Sequence, residues 1–376
     1  MVSESFILTA GVEPTTRCLE GSCSIQLSYA SKAGSNIEKI SLINTPSPLP
    51  SRQTLSRFMH VLKYLHKPGV PVRILRPAGV SMKIIDILKQ DKMSLSFEVF
   101  PPKKETSFES VKAATESIAA LGPAFMSVTY GAGGGVSHFT LDIAKNLKEK
   151  YNIPMLAHLT CVSSSKETVR QRIADMKTAG IKNVMALRGD LTPELIEKGR
   201  EGCDYHYAVE LIQELKAADA DFCIGAACYP EKHPESKTQA EDIKHLKEKV
   251  DAGADFLTTQ MVFDNNLFLN FMYKLREAGV TCPVLPGIMP ITNANQVERA
   301  IKLSGSFMPQ RFKSLVDKFG SDPEAMKQAG IIYASDQIID LYANGITNVH
   351  VYSMNKPDVA EGILKNVSAI LGKNFA

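Results

Sequence analysis

From Met82 to the end of the chain, short apolar, β-rich runs alternate with longer stretches whose apolar positions recur every three or four residues. The short runs are SLSFEVF (94–100), AFMSVTY (124–130), PMLAHLT (154–160), KNVMALR (182–188), FCIGAAC (222–228), DFLTTQ (255–260), CPVLPGI (282–288) and NVHVYS (348–353). Between them, Val111, Ala114, Ile118 and Leu121 keep a helical spacing, as do Val169, Ile173 and Met176, and Ile243, Leu246 and Val250. Pro154 and Gly180 fall where helices should stop. Strands separated by helices predict a parallel sheet, because parallel neighbours need long crossover connections. Eight such units in 295 residues predict an α/β fold of the closed (β/α)8 barrel type, with extra helices before the last strand. An open doubly wound sheet is the alternative. No GxGxxG follows the first strand, which counts against a dinucleotide fold of that kind.

Residues 1–81 read differently. Ser, Pro and Gly cluster there, and no helical or strand period is expected to persist from Met1 to Pro50. A short amphipathic helix is predicted over 52–67, with Leu55, Phe58, Leu62 and Leu65 on one face. The genetic code adds an unusual reading. VEP (12–14) and SIQLSY (24–29) can be encoded so that the reverse complement resembles the T-arm and D-arm of a transfer RNA. Residues 10–30 would then translate the antisense strand of a tRNA gene, and the native start would be Met82. A functionless extension or a targeting peptide are the other readings. The division expected is a low-order extension, 1–81, and a barrel domain, 82–376.

Composition supports a soluble protein: 44% hydrophobic and 22% charged, without a run of 18 apolar residues or a basic start followed by an apolar core. The seven cysteines are scattered, with no CxxC pair, as in a reducing cytoplasm. The formal charge of +3 divides into +5 for residues 1–81 and −2 for the rest, so the main body gives no reason to expect nucleic acid. No membrane partner is expected.

The predicted strands end in polar groups. FEVFPPK carries Glu98, VTYGAGGG carries Thr129 and Tyr130, and the others end AHLTC, ALRGD, CYPEKHPES, TTQMVFD and YSMNK. In a barrel of this type the chemistry sits at the C-terminal ends of the strands. A lone acid between Phe97, Val99 and Phe100 is expected to lose hydration and to hold its proton, as a general acid must. GAGGG (131–135) lets a flat or phosphorylated ligand approach the backbone. His158 and His233 have no partner at ligand spacing, so no metal is expected.

Taken in order, FEVFPPK, SVTYGAGG, AHLTC, ALRGD, AACYPEKHPE, KVDAGADFLTTQMVFD, PGIMPIT and VHVYSMNK resemble the methylenetetrahydrofolate reductase family over residues 94–371. The likeness is to the bacterial type, with the catalytic barrel alone. It implies noncovalent FAD and reduction of 5,10-methylenetetrahydrofolate to 5-methyltetrahydrofolate by NADH or NADPH, through ping-pong hydride transfer that feeds methionine synthesis. It also implies a cytoplasmic homo-oligomer without the S-adenosylmethionine-binding domain of eukaryotic relatives. Glu98 matches the family's general acid, and Asp190 a carboxylate near the flavin and the pterin. Flavin contacts carried over are Thr129, Tyr130, Ala132, His158, Arg188, Gly189, Asp190, Tyr207, Ala208, Tyr229, His233, Asp242, His245 and Lys249. Asp242, His245 and Lys249 share one helix stripe by spacing. Gln260, Gln296 and Lys356 match substrate-binding positions. Three positions depart: Lys356 replaces an Arg that grips the folate glutamate, Ala300 a Phe that packs on folate, and Glu248 an Arg. Two competing functions are a flavin-free pterin methyltransferase and a binding subunit of a larger one-carbon complex.

Overall fold

The computed structural model describes residues 82–102, 107–130 and 137–373, together with six short strands within the first 80 residues. It divides into two compact units, Met1–Val80 and Ser81–Ala376. In the first unit, Ile25–Ala30 pairs antiparallel with Ile37–Leu42. This differs from the expectation of no strand period: IQLSYA and IEKISL do alternate, but each is six residues long and easily lost beside the polar run between them. The helix predicted over 52–67 lies outside the described residues.

The second unit is a closed barrel of eight parallel strands. In chain order these are β1 (Ser94–Val99), β2 (Met126–Val128), β3 (Met155–Thr160), β4 (Asn183–Leu187), β5 (Cys223–Cys228), β6 (Phe256–Val262), β7 (Val284–Ile288) and β8 (Asn348–Tyr352). β8 closes on β1 through a ladder that runs from Asn348↔Ser94 to Tyr352↔Glu98. The predicted strands are all present, and β6 continues to Val262, past the predicted end at Gln260. Between β7 and β8 lie three helices, Asn295–Ser304, Gln310–Phe319 and Pro323–Ala343. These account for the long gap before the last strand.

Successive side chains on a strand face opposite ways, and this sorts the core into layers. Leu95, Phe97, Val99, Val184, Ala186, Val349 and Val351 point outward into the helical shell and are buried there. Leu156, Met185, Cys223, Phe256 and Leu285 belong to a separate inner cluster with Phe125. That cluster packs on α1 (Ile84–Leu88), a five-residue helix whose Ile84, Ile85, Ile87 and Leu88 cover the N-terminal end of the barrel.

So short a helix has no stability of its own; strand residues hold its ends. The Ile84 amide donates to Asn183 Oδ1 at 2.8 Å, and Asn183 Nδ2 donates back to the Met82 carbonyl at 3.1 Å. At the other end Asn348 Nδ2 donates to the Leu88 carbonyl at 3.1 Å. The barrel floor is thereby sealed, and the C-terminal ends of all eight strands open on the opposite face.

Candidate active site

At that open end one carboxylate meets two imidazoles and a hydroxyl. Glu98 faces inward near the end of β1, with Oε2 3.4 Å from the Ser127 hydroxyl, 3.5 Å from His158 Nε2 and 3.9 Å from His350 Nε2. Register explains the meeting: Glu98 pairs with Ser127 on β2 and with Tyr352 on β8, and His350 lies two residues before Tyr352 on the same face. His350 is itself held at both ring nitrogens, by Ser96 Oγ at 2.7 Å and Ser127 Oγ at 3.0 Å. Ser96, His350, Ser127 and Glu98 thus form one connected polar chain inside the barrel.

The raised Glu98 carboxyl predicted from its sequence neighbours is corrected here. Phe97 and Val99 point to the other side of the pleat and are fully buried in the outer shell, so they do not surround the acid. Burial remains the largest single influence on Glu98 and pushes it up. The His350 and His158 imidazoles and the Ser127 hydroxyl together outweigh burial and hold it below the usual carboxylate value. At 3.9 Å, His350 acts as a nearby dipole or charge rather than through a formed hydrogen bond. Burial drives His158 downward, so that imidazole stays neutral.

A second group of residues gathers beside this cluster. Arg188 follows β4, with Nη1 2.7 Å from Glu235 and Nε donating to the Gly189 carbonyl at 3.2 Å. Gly189 has φ +92°, and a Cβ there would lie 3.0 Å from Thr160 Cβ, so only glycine brings the backbone this close. Asp190 is exposed at the mouth. On α2 (Gln239–Asp251), Asp242 is 5% exposed and accepts from the His233 amide at 2.9 Å and Ser236 Oγ at 3.3 Å. Two turns on, Lys249 donates to the Ala227 carbonyl at 3.0 Å, and burial pulls its ammonium below the usual lysine value. A desolvated ammonium held by a carbonyl suits an anionic ligand. Tyr229 and His233 pack edge to face, 4.7 Å between centroids.

The remaining predicted contacts divide. Thr129 and Tyr130 follow β2, with the Arg172 guanidinium 5.0 Å over the Tyr130 ring. Tyr207 is 56% exposed and has Arg200 stacked on it at 5.1 Å, while Ala208 beside it is buried. His245 faces outward and bonds Glu248 at 3.0 Å, so the stripe shared with Asp242 and Lys249 splits: those two turn inward and His245 does not. Ala132, with the rest of GAGGG, lies outside the described residues.

Gln260 lies in β6, and Gln296 lies in the helix Asn295–Ser304 that follows β7. The Gln260 amide oxygen accepts from the Met261 N–H at 3.0 Å. The Gln296 amide oxygen accepts from the Thr292 N–H at 3.0 Å, and Lys356 Nζ donates to Thr292 Oγ1 at 2.8 Å. Thr292, buried and unremarked in the sequence, therefore joins two of the three predicted substrate positions.

A profile of the family described as methylenetetrahydrofolate reductase matches residues 83–368. The chain belongs to this family. It is 34% identical over 274 residues to the 5,10-methylenetetrahydrofolate reductase of Pectobacterium carotovorum, covering 73% of this chain and 90% of that one. It is also 34% identical over 298 residues to "Methylenetetrahydrofolate reductase (NADH) 1" of Zea mays, covering 77% of this chain and 50% of the relative. The chain thus spans about half the length of its plant relatives. Among solved structures, a Clostridium thermocellum protein described as binding two copies of 5-methyl-5,6,7,8-tetrahydrofolic acid shares the fold, with a TM-score of 0.58 at 13% identity over 77% of this chain and 99% of that one.

Within this family frame, the three departures have local structural accounts. Ala300 is 3% exposed among Phe263, Met289, Ile291 and Phe312, so its side chain belongs to a core. Glu248 pairs with His245 on the outside, and Lys356 is engaged by Thr292. His350, Ser96 and Ser127 were missed in the sequence. The signal was present, since each lies two or four residues along the inward face from a polar neighbour in its own or the adjoining strand.

Proposed function

We propose that this chain reduces 5,10-methylenetetrahydrofolate to 5-methyltetrahydrofolate, with noncovalently bound FAD and electrons from NADH or NADPH in alternating half-reactions. The observation that carries the reading is Glu98, the acid of a polar cluster at the barrel mouth, with anion-suited cations following β4 and β5 and two glutamines in β6 and after β7. The cofactor residues fit the group. Lys249 and Arg188 would take the diphosphate, Asp242 a polar group of the adenosine half, and the open backbone at Gly189 the ring edge. FAD, when bound there, supplies a two-electron carrier between nicotinamide and folate.

The protein's own work is proton handling and placement. Reduction adds a hydride to the bridging methylene carbon and a proton to the nitrogen that leaves it. Among the described residues Glu98 is the only acid in the inner cluster at the end of β1, and it delivers that proton. In the open site it is held ionised by its imidazole neighbours. A flat substrate covering the mouth excludes water, strengthens the burial influence and favours the protonated form. His350 and Ser127 connect Glu98 to Ser96 and restore the proton. Gln260, Gln296 and Lys356 orient the substrate, and Asp190 places negative charge beside the flavin pyrimidine and the pterin.

We read residues 82–376 as the catalytic barrel domain, as the division at Val80 and the family match from residue 83 support. Intact-mass measurement of the natural protein should then show a start at Met82, and a mass that includes residues 1–81 would contradict it. We place the protein in the cytoplasm as a homo-oligomer. Purified protein should be yellow, and its colour should bleach anaerobically with NADH or NADPH and return with methylenetetrahydrofolate. A colourless protein that FAD cannot reconstitute would instead favour a flavin-free pterin enzyme.

A further inference from the structure

β6 does not run straight into its neighbour. Its ladder to β7 goes from Thr258↔Leu285 to Met261↔Gly287, so Thr259 and Gln260 together face the single residue Pro286. That is a β-bulge, with two residues of β6 opposing one of β7. Three hydrogen bonds engage the carbonyl and the hydroxyl of Thr259. The Thr259 carbonyl accepts the Tyr352 hydroxyl at 2.6 Å. The Thr259 hydroxyl accepts the Gly287 amide at 2.8 Å and donates to the Gln260 carbonyl at 2.7 Å.

Tyr352 reaches Thr259 from β8 by crossing over β7. It can do so only because residue 287 is glycine: a Cβ there would lie 2.6 Å from the tyrosine ring and 2.7 Å from the Thr259 carbonyl. Tyr352 is also the ladder partner of Glu98, and its ring packs edge-on against His350 at 5.8 Å. Burial pushes its hydroxyl well above the usual tyrosine range, so it remains a donor. One side chain therefore ties the strand carrying His350, beside the Glu98 cluster, to the bulge carrying Gln260.

We propose that Tyr352 and Thr259 form a latch that fixes the bulge and so sets the position of Gln260 relative to Glu98. Both are positioning residues that act through Gln260, and the catalytic part of this inference rests on the function proposed above. The latch predicts a specific pattern. Tyr352→Phe keeps the ring over Gly287 and removes only the hydroxyl. Thr259→Val keeps shape and removes the acceptor for Gly287, whereas Thr259→Ser retains it.

The test uses the full chain and two readouts. Amide hydrogen exchange of Met261 and Gly287 should accelerate about tenfold in Tyr352→Phe and Thr259→Val, about 1.4 kcal/mol of local protection, and stay near wild type in Thr259→Ser. In the same variants KM for methylenetetrahydrofolate should rise about tenfold, as should KM for the nicotinamide, with the flavin spectrum unchanged and Thr259→Ser rescuing both. The double variant should be no worse than the single ones, because one latch is being opened twice. Unchanged exchange in both single variants would overturn the latch. Accelerated exchange with unchanged KM would overturn its role in placing Gln260. If wild-type protein proves not to reduce methylenetetrahydrofolate, the proposed function fails, and the exchange measurement still decides whether the latch exists.

Discussion

The two ends of the barrel are built from the same strands and follow opposite rules. At the floor, inward positions are Leu156, Met185, Cys223, Phe256 and Leu285, sealed by α1, and the Asn183 and Asn348 side chains are consumed in holding that helix. At the mouth, inward positions further along the strands are Glu98, Ser127, His158 and His350, the last three 3.4 to 3.9 Å from the Glu98 carboxylate. Polar groups at the floor are used up in holding a helix, while those at the mouth are linked to one another around a single acid. The difference separates stability from chemistry along a single strand: moving one pleat repeat converts a packing position into a functional one.

The comparison breaks most sharply at Glu98. Glu98→Gln keeps shape and removes the titrating proton, so folate reduction should fall by about 10²–10⁴, the range for loss of a general acid, with the melting temperature hardly changed. Turnover of folate within about twofold of wild type would remove Glu98 from this role. The floor should give the converse result. Phe256→Ala empties a fully buried ring site and should cost about 3–5 kcal/mol in denaturant unfolding, while the folded fraction keeps its catalytic constants. Smaller, on the same side, Asn183→Ala strands the buried Ile84 amide and should cost about 1–3 kcal/mol.

At the mouth again, Thr292→Val removes the hydroxyl that holds Lys356. It should raise KM for the folate about three- to tenfold, up to about 1.4 kcal/mol, with kcat unchanged. Substrate lacking the glutamate tail should not register the change. The smallest effect expected is acid loosening of the floor. Asp221, which bridges Lys83 at the start of α1 to Lys182, has its carboxyl drawn down from 3.8 to about 2 by those lysines. A lowered folded value means the contribution is complete above the unfolded value and is lost as pH falls through the folded one. Exchange of α1 amides should therefore rise between about pH 4 and pH 2, and an Asp221→Asn variant should not show that acid-dependent step.

How much of this was readable beforehand also follows the two ends. The eight strands and their polar endings were legible because periodicity is local. The barrel floor was not, since α1 is five residues long and its partners Asn183 and Asn348 are about 100 and 260 positions away. Glu98 was found for a partly mistaken reason. Its flanking Phe97 and Val99 suggested an apolar nest, yet the pleat turns both away, and the true neighbours come from β2, β3 and β8. The β6 bulge was hidden because the groups that hold it, the Gly287 amide and the Tyr352 hydroxyl, come from other strands.

The central claim, that the mouth performs flavin-mediated folate reduction with Glu98 as proton donor, reduces to one measurement. Anaerobic stopped-flow should follow the bound flavin of the wild-type and Glu98→Gln proteins, first with a reduced nicotinamide and then with methylenetetrahydrofolate. The account predicts that both proteins bleach at similar rates, and that only the wild type regains its absorbance when the folate is added. Equal recovery in both, or no flavin to observe in either, would contradict it.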